Sequence, residues 1–189
     1  PGAEPAGVPV IVLCARMLWN KEVGDLVAAS RLLKKSGARF RIILAGDTDP
    51  GNPDSIPKER LLAWESQGLV KWTGHTDEMW KVFAGSSIVV LPSSYGEGVP
   101  RSLIEAAASG RPIVAYDVPG CREVVRHNRN GLLVPSGNTE ALADALKKLL
   151  DDPAARRRMG AYGRELAVNE FSLEKVVTET MQVYENLLS

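Results

Sequence analysis

The sequence predicts an α/β fold, a Rossmann-like, doubly wound parallel sheet of about six strands with flanking helices and a C-terminal helical segment. Three observations carry this. Short apolar runs recur at residues 8–14, 39–45, 69–73, 87–91, 113–116 and 132–134. Such runs belong to strands covered on both faces. Segments of helical period separate them, the arrangement of successive βαβ units. From about residue 138 onward the strands stop and only helical patterning continues.

The first run, Val-Pro-Val-Ile-Val-Leu-Cys, is apolar throughout. Pro9 must lie at its beginning, because proline has no N–H to give a ladder. The loop 15–21 leads into a helix that reaches about Lys35, with Val23, Leu26, Val27 and Leu33 on one stripe and Gly37 behind it. The second strand, 39–45, opens into Gly46-Asp47-Thr48-Asp49-Pro50-Gly51-Asn52-Pro53-Asp54, a loop built of turn residues. A helix over 58–67 and a strand over 69–73 follow. Thr76, with two acids after it, is the expected N-cap of a short helix.

The strand 87–91 runs into a glycine-bearing loop and a helix with Pro100 in its first turn. Gly110 and Pro112 stop that helix before the strand 113–116. A turn at 117–120 precedes a short helix ending near Val125, and Asn130-Gly131 reads as a tight turn into the last strand. Three helices finish the chain. Asn138 caps the first, which carries Leu142, Leu146 and Leu149. Asp152-Pro153 opens the second. Ser172 caps the third, whose stripe is Val177, Met181, Tyr184 and Leu188.

At 189 residues the chain can bury one substantial core. Residues 1–7 read as linker and 8–189 as one domain that includes the helices from about 138. The absence of an initiating Met suggests a piece of a larger protein. Lys and Arg number 23, Asp and Glu 23, so the charge balance gives no support for nucleic-acid binding. Two cysteines are too few for a disulfide framework or a zinc site. Cys14 reads as an inert core thiol, and Cys121, after a Pro-Gly turn, is also given no reactive role. No run reaches the 18 or so apolar residues of a membrane span, and no signal peptide is seen. Arg156-Arg157-Arg158 reads as a solvated helix face.

In a doubly wound sheet the loops after the strands gather at the carboxyl edge, where ligands bind near the switch in strand order. The stretch from Tyr95 to Gly110 lies there. Its helix N-terminus presents free N–H groups and a partial positive charge, which suit a phosphate. Two carboxylates, Glu97 and Glu105, bracket it and can grip hydroxyls on either side of a bound anion. Arg16 and Lys21, between the first strand and its helix, can bring a guanidinium fork and an ammonium onto one diphosphate. Taken alone, these are also simply two solvated loop charges, a loop acid and a helix acid.

Together the motifs are more specific. Glu97-Gly98-Val99-Pro100 through Ser109-Gly110-Arg111-Pro112, with Arg16-x4-Lys21, resembles the donor-binding signature of retaining glycosyltransferases of family four, which have the GT-B fold. The resemblance covers nearly the whole chain, as the C-terminal half of such an enzyme. It implies that Glu105 binds ribose hydroxyls and that Glu97 meets the donor sugar. Backbone N–H groups of Gly98 and Val99, and of the first turn from Pro100 through Ser102 and Leu103, would meet the sugar and β-phosphate. Arg16 and Lys21 would neutralise the leaving diphosphate and, with Glu97, form the catalytic set. Gly46 would allow close approach of the ligand. His75 and Thr76 would contact the base mostly through backbone; His75 is not read as a catalytic base. Arg101 could add charge at the site or face solvent. One departure stands out: the family commonly has glycine after the lysine, and here Glu22 sets an acid near the phosphates.

The resemblance also implies no cofactor and no metal. Asp47-Thr48-Asp49 has the letters of a metal motif but lies in a turn-rich loop. The wording of the motif, with Asp117 to Glu123, is similar to bacterial capsule and O-antigen transferases. These take UDP-linked, often N-acetylated sugars and lipid-linked acceptors. The implied partners are a nucleotide sugar, a missing N-terminal acceptor domain and a lipid-linked acceptor, with no nucleic acid. The implied location is the cytoplasm, peripheral at the inner face of the membrane through the full-length protein, and the fragment alone would be inactive. In full-length relatives the last helix packs back across the cleft, so its stripe would be partly exposed here. A dinucleotide-dependent dehydrogenase fits less well, since Ala15-Arg16-Met17-Leu18 replaces the Gly-x-Gly-x-x-Gly loop. A nucleotide-sugar epimerase fragment and a non-catalytic nucleotide-sugar-binding module remain as alternatives.

Overall fold

The computed structural model describes residues 5–94, 96 and 98–188. Glu97 lies outside them, as do residues 1–4 of the expected linker. Six strands form one sheet: β1 (Val10–Cys14), β2 (Arg41–Ala45), β3 (Lys71–Gly74), β4 (Ile88–Leu91), β5 (Ile113–Tyr116) and β6 (Gly131–Val134). Every pairing is parallel, in the order β3-β2-β1-β4-β5-β6. The helices are α1 (Val23–Lys35), α2 (Lys58–Ser66), α3 (Met79–Ala84), α4 (Arg101–Ala108), α5 (Pro119–Val124), α6 (Thr139–Asp151), α7 (Pro153–Phe171) and α8 (Leu173–Leu188), with a 3-10 turn at Trp19–Lys21 before α1.

The period of two along each strand divides the core into two layers. Ile11, Leu13, Leu44, Val90, Val114 and Tyr116 meet the apolar faces of α1 and α6. Val12, Cys14, Val89, Leu91 and Ala115 meet Leu103, Ala106 and Ala107 of α4 and Phe83 of α3. Both layers are buried, which is why the strands read as unbroken apolar runs. Strand order reverses direction between β1 and β4, and that switch places the exits of β1 and β4 side by side.

Local signals behave as expected at several ends. Asn138 accepts from Ala141 N at 2.9 Å, and Asp152 from Ala155 N at 2.8 Å with Pro153 behind it. Elsewhere tertiary context wins. The short helix starts at Met79, not behind Thr76; Thr76 Oγ1 accepts from Glu78 N at 3.1 Å and closes a turn ahead of it. Pro100 is the residue before α4, and its carbonyl accepts from Leu103 N at 3.0 Å. The expected Asn130-Gly131 turn is displaced: Asn128 takes the positive φ of 63°, and Gly131 is already paired in β6. A Cβ on Gly131 would lie 2.3 Å from Ile113 O, so the glycine permits close pairing of the strands.

The arginine triplet also departs from expectation. Arg157 and Arg158 are exposed, but Arg156 is buried. Its Nη1 donates to Leu149 O at 2.5 Å and Leu150 O at 2.9 Å. The last carbonyls of a helix lack intrahelical donors and carry partial negative charge, so α6 ends on a guanidinium from α7. At the other extreme, α8 buries no residue, and Val177, Met181, Tyr184 and Leu188 are all more than half exposed.

Candidate functional site

A cleft of about 460 Å³ opens at the carboxyl ends of β1, β2 and β3, against α4. Arg16, Gly46, His75, Ser102 and Glu105 all line it. These residues were chosen from the motifs, and the parallel sheet brings them to one edge. Cys14, Ala15, Ala45, Asp47, Thr48, Asp49 and Met79 complete the lining. Asp47, Thr48 and Asp49 were legible by position, since they follow β2 directly. Met79 gave no signal.

The backbone of the loops is fixed before any side chain acts. Met17 N donates to Asp47 O at 2.8 Å and Ile56 N to Met17 O at 2.9 Å, tying the loop after β1 to the loop after β2. Gly46 N donates to Gly74 O at 2.8 Å. Gly46 has φ 136°, and a Cβ there would meet Ala15 O at 1.9 Å. The close approach seen at this glycine is therefore to the chain itself. Trp72 Nε1 donates to Gly46 O at 2.8 Å, and Asp47 Oδ1 accepts from His75 N at 3.1 Å, which joins β3 to the same rim.

The side chains form matched pairs. Arg16 Nη1 donates to Asp49 Oδ2 at 2.7 Å, with side-chain exposures of 64% and 34%. Asp49 N in turn donates to Ser55 Oγ at 2.9 Å. Glu105 Oε1 lies 3.2 Å from Arg101 Nε, one helical turn back on α4, with Arg101 at 91% exposure. Arg101 thus faces solvent and still places its charge on the cleft carboxylate. Lys21, expected beside Arg16, is half-buried and is not among the residues that line this cleft. Its ammonium is held below the ordinary lysine value by burial first and by Arg16 second. A nearby anion would relieve both effects. The His75 ring points along the rim, with Nε2 3.0 Å from Asp77 Oδ1.

Other expected residues stand around this cleft. Leu103 is fully buried and packs in the core, and its N–H already donates to Pro100 O. Gly98 and Val99 are exposed just ahead of α4, and Pro100 is buried. Thr76 closes its own turn. Glu97 lies outside the described residues. Among the described residues no group of three or more His, Cys, Asp or Glu comes together as a metal site. The two thiols are buried. Burial pushes Cys14 up to about 12 and Cys121 up to about 11 from 9.0, which removes thiolate chemistry at neutral pH.

This geometry agrees with what the chain resembles elsewhere. Residues 2–166 match the family model described as "Glycosyl transferases group 1", and the chain belongs to that family. It is 32% identical over 185 residues to an exopolysaccharide phosphotransferase of Streptomyces coelicolor, covering 95% of this chain and 19% of that one. It is 31% identical over 184 residues to the alpha-D-kanosaminyltransferase of Streptomyces kanamyceticus, covering 95% and 46%. Among solved structures, Anabaena HepE in complex with UDP superposes with a TM-score of 0.82 at 25% identity, covering 96% of this chain and 49% of that one. The chain therefore spans no more than about half the length of these relatives, and its fold is that of one half of a GT-B glycosyltransferase.

Proposed function

We propose that this chain binds a nucleotide-diphosphate sugar and serves as the donor-binding half of a retaining glycosyltransferase. The observation that carries the reading is Arg16 and Glu105 lining one cleft at the carboxyl edge of a parallel sheet, beside the N-terminus of α4. A carboxylate of this kind accepts from the vicinal hydroxyls of a ribose, and a guanidinium fork suits a diphosphate. The base would then lie near His75 and Thr76. The sugar and β-phosphate would meet Gly98, Val99 and the first turn of α4 through Ser102 and Leu103. Glu97 would hold the sugar hydroxyls.

Cleavage of the glycosidic bond leaves negative charge on the departing diphosphate. Arg16, Lys21 and the α4 N-terminus supply fixed positive charge there, the electrostatic contribution that usually dominates catalysis. The reading assigns neither metal nor cofactor. An acceptor hydroxyl would arrive from a partner domain, on the face the diphosphate leaves. UDP is the donor nucleotide we favour, since HepE was solved with it. A lipid-linked glycan acceptor, with surface polysaccharide as the product and the inner face of the membrane as the location, is the biological setting we favour. No described helix is long and apolar enough to cross a membrane.

The test is calorimetric titration of the chain with UDP, GDP, ADP and NAD, repeated on Glu105→Ala and Arg16→Ala. Selective binding of one nucleoside diphosphate, weakened in both variants, is the expected result. Binding that ignores both substitutions would place the site elsewhere.

A further inference from the structure

We propose that Glu22 is a positioning residue of the donor site, bracing the loop after β4 against the turn that carries Lys21. This rests on the donor-site reading above. Glu22 has φ 50° and ψ 40°, the left-handed conformation, at the junction of the 3-10 turn and α1. Asn128 is the other described non-glycine residue with positive φ. Asparagine tolerates that region because its short side chain can bond locally, whereas a glutamate there is strained and a glycine would be free. Strain of this kind persists where the surroundings impose it, and an outlier beside a binding cleft points to function.

The surroundings are visible. The Glu22 carboxylate accepts a hydrogen bond from Ser94 Oγ, on the loop leaving β4. Next to it, Ser93 Oγ donates to Asn20 O at 3.2 Å. Two adjacent hydroxyls therefore grip the turn on either side of Lys21. The backbone at Glu22 is held as well: its N–H donates to Trp19 O at 2.8 Å, and its carbonyl accepts from Asp25 N at 3.0 Å. Beyond it, the fully buried Tyr116 donates to Asp25 and fastens the first turn of α1 to the end of β5. Ser94 stands three positions before Glu97 and six before Pro100, the residue ahead of α4. The Glu22–Ser94 bond thus spans the strand-order switch between β1 and β4. It holds the turn that carries Lys21 against the loop that leads on to α4, the two elements assigned to one diphosphate. A glycine at position 22 would make a better backbone and no brace.

The experiment measures three quantities on the wild-type chain, Glu22→Gly, Glu22→Gln and Ser94→Ala: melting temperature, amide exchange at residues 93 and 94, and affinity for UDP. Glu22→Gly should melt about 3 °C higher, because strain is released. Its exchange at 93 and 94 should quicken by about tenfold, and its UDP affinity should drop by about fivefold as preorganisation is lost. Ser94→Ala should share the faster exchange and weaker binding without the higher melting temperature. Glu22→Gln keeps an acceptor for Ser94 and should keep both protection and affinity. Opposite signs for stability and affinity in Glu22→Gly separate positioning from an ordinary structural role. Unchanged exchange, or a joint fall in melting temperature and affinity, would overturn the proposal. A wild-type chain that binds none of UDP, GDP and ADP would sink the donor-site reading and the positioning role with it, while the exchange data still report the brace.

Discussion

Asp49 and the proposed diphosphate make competing claims on Arg16. The guanidinium donates to Asp49 Oδ2 at 2.7 Å, so an incoming phosphate must share or displace that contact. The bare attraction between unit charges about 4 Å apart is about 4 kcal/mol at an effective dielectric of 20. With Arg16 at 64% and Asp49 at 34% exposure, solvent screens most of it. Exposed pairs of this kind contribute about 1 kcal/mol or less. A change of about 1 kcal/mol is about fivefold in an equilibrium constant, which sets the ceiling. Asp49→Asn should therefore tighten UDP binding by about two- to fivefold. The bond from Asp49 N to Ser55 Oγ uses backbone and survives the substitution, so the loop should hold its course. The assay is titration at about 0.1 M and about 1 M salt. Screening shortens the Debye length from about 10 Å to about 3 Å, and the gain should shrink accordingly. Weaker binding in Asp49→Asn at low salt would refute the reasoning, and would mean that Asp49 orients Arg16 for the ligand instead of competing with it.

Three further expectations concern the rest of the molecule. Arg156→Met keeps the apolar stem but strips the α6 carbonyls of their donor; it should cost about 2–3 kcal/mol in urea unfolding, against about 0.5 kcal/mol or less for Arg157→Met and Arg158→Met. Equal effects for all three would return Arg156 to the surface. The thiols of Cys14 and Cys121 keep their protons in the folded chain up to about 12 and about 11, while unfolded thiols lose theirs from about 9. The folded state then binds more protons, so stability should be full below pH 9 and fall as pH rises from 9 towards 11. A urea midpoint that stays flat or rises over that range would contradict it. The bare stripe of α8 should drive self-association. Light scattering should give a mass above 20.4 kDa that grows with concentration, restored to the monomer by Val177→Glu with Met181→Glu. A monomer at all concentrations would show the stripe to be inert.

The strands and the caps at Asn138 and Asp152 were legible because each is written locally: an apolar run covered on both faces, or a side chain that answers an N–H three residues on. What escaped the sequence was non-local. Asn130-Gly131 carries the letters of a tight turn, yet its glycine answers to Ile113 in the neighbouring strand. Arg156 looks like its two neighbours in a charged triplet, and only the meeting of α7 with the end of α6 distinguishes it. Gly46 was chosen for closeness to a ligand, and the closeness seen is to Ala15. The placement of Arg16, His75, Ser102 and Glu105 in one cleft did follow from the sequence, since every loop after a parallel strand arrives at the same edge.

Charge pairing within that cleft did not follow from the sequence, and it bears on how tightly the site can bind. Arg16 is matched to Asp49 and Glu105 to Arg101, while burial and Arg16 depress Lys21. A diphosphate arriving at Arg16 exchanges one anionic partner for another, so it gains only the difference between them. At Lys21 burial and Arg16 already disfavour the cation, and an anion brought to its ammonium offsets that cost. Lys21 should accordingly contribute to diphosphate affinity, despite being less exposed than Arg16. The measurement is UDP titration of Lys21→Met, and an affinity equal to that of the wild-type chain would show that the ammonium takes no part in holding the diphosphate.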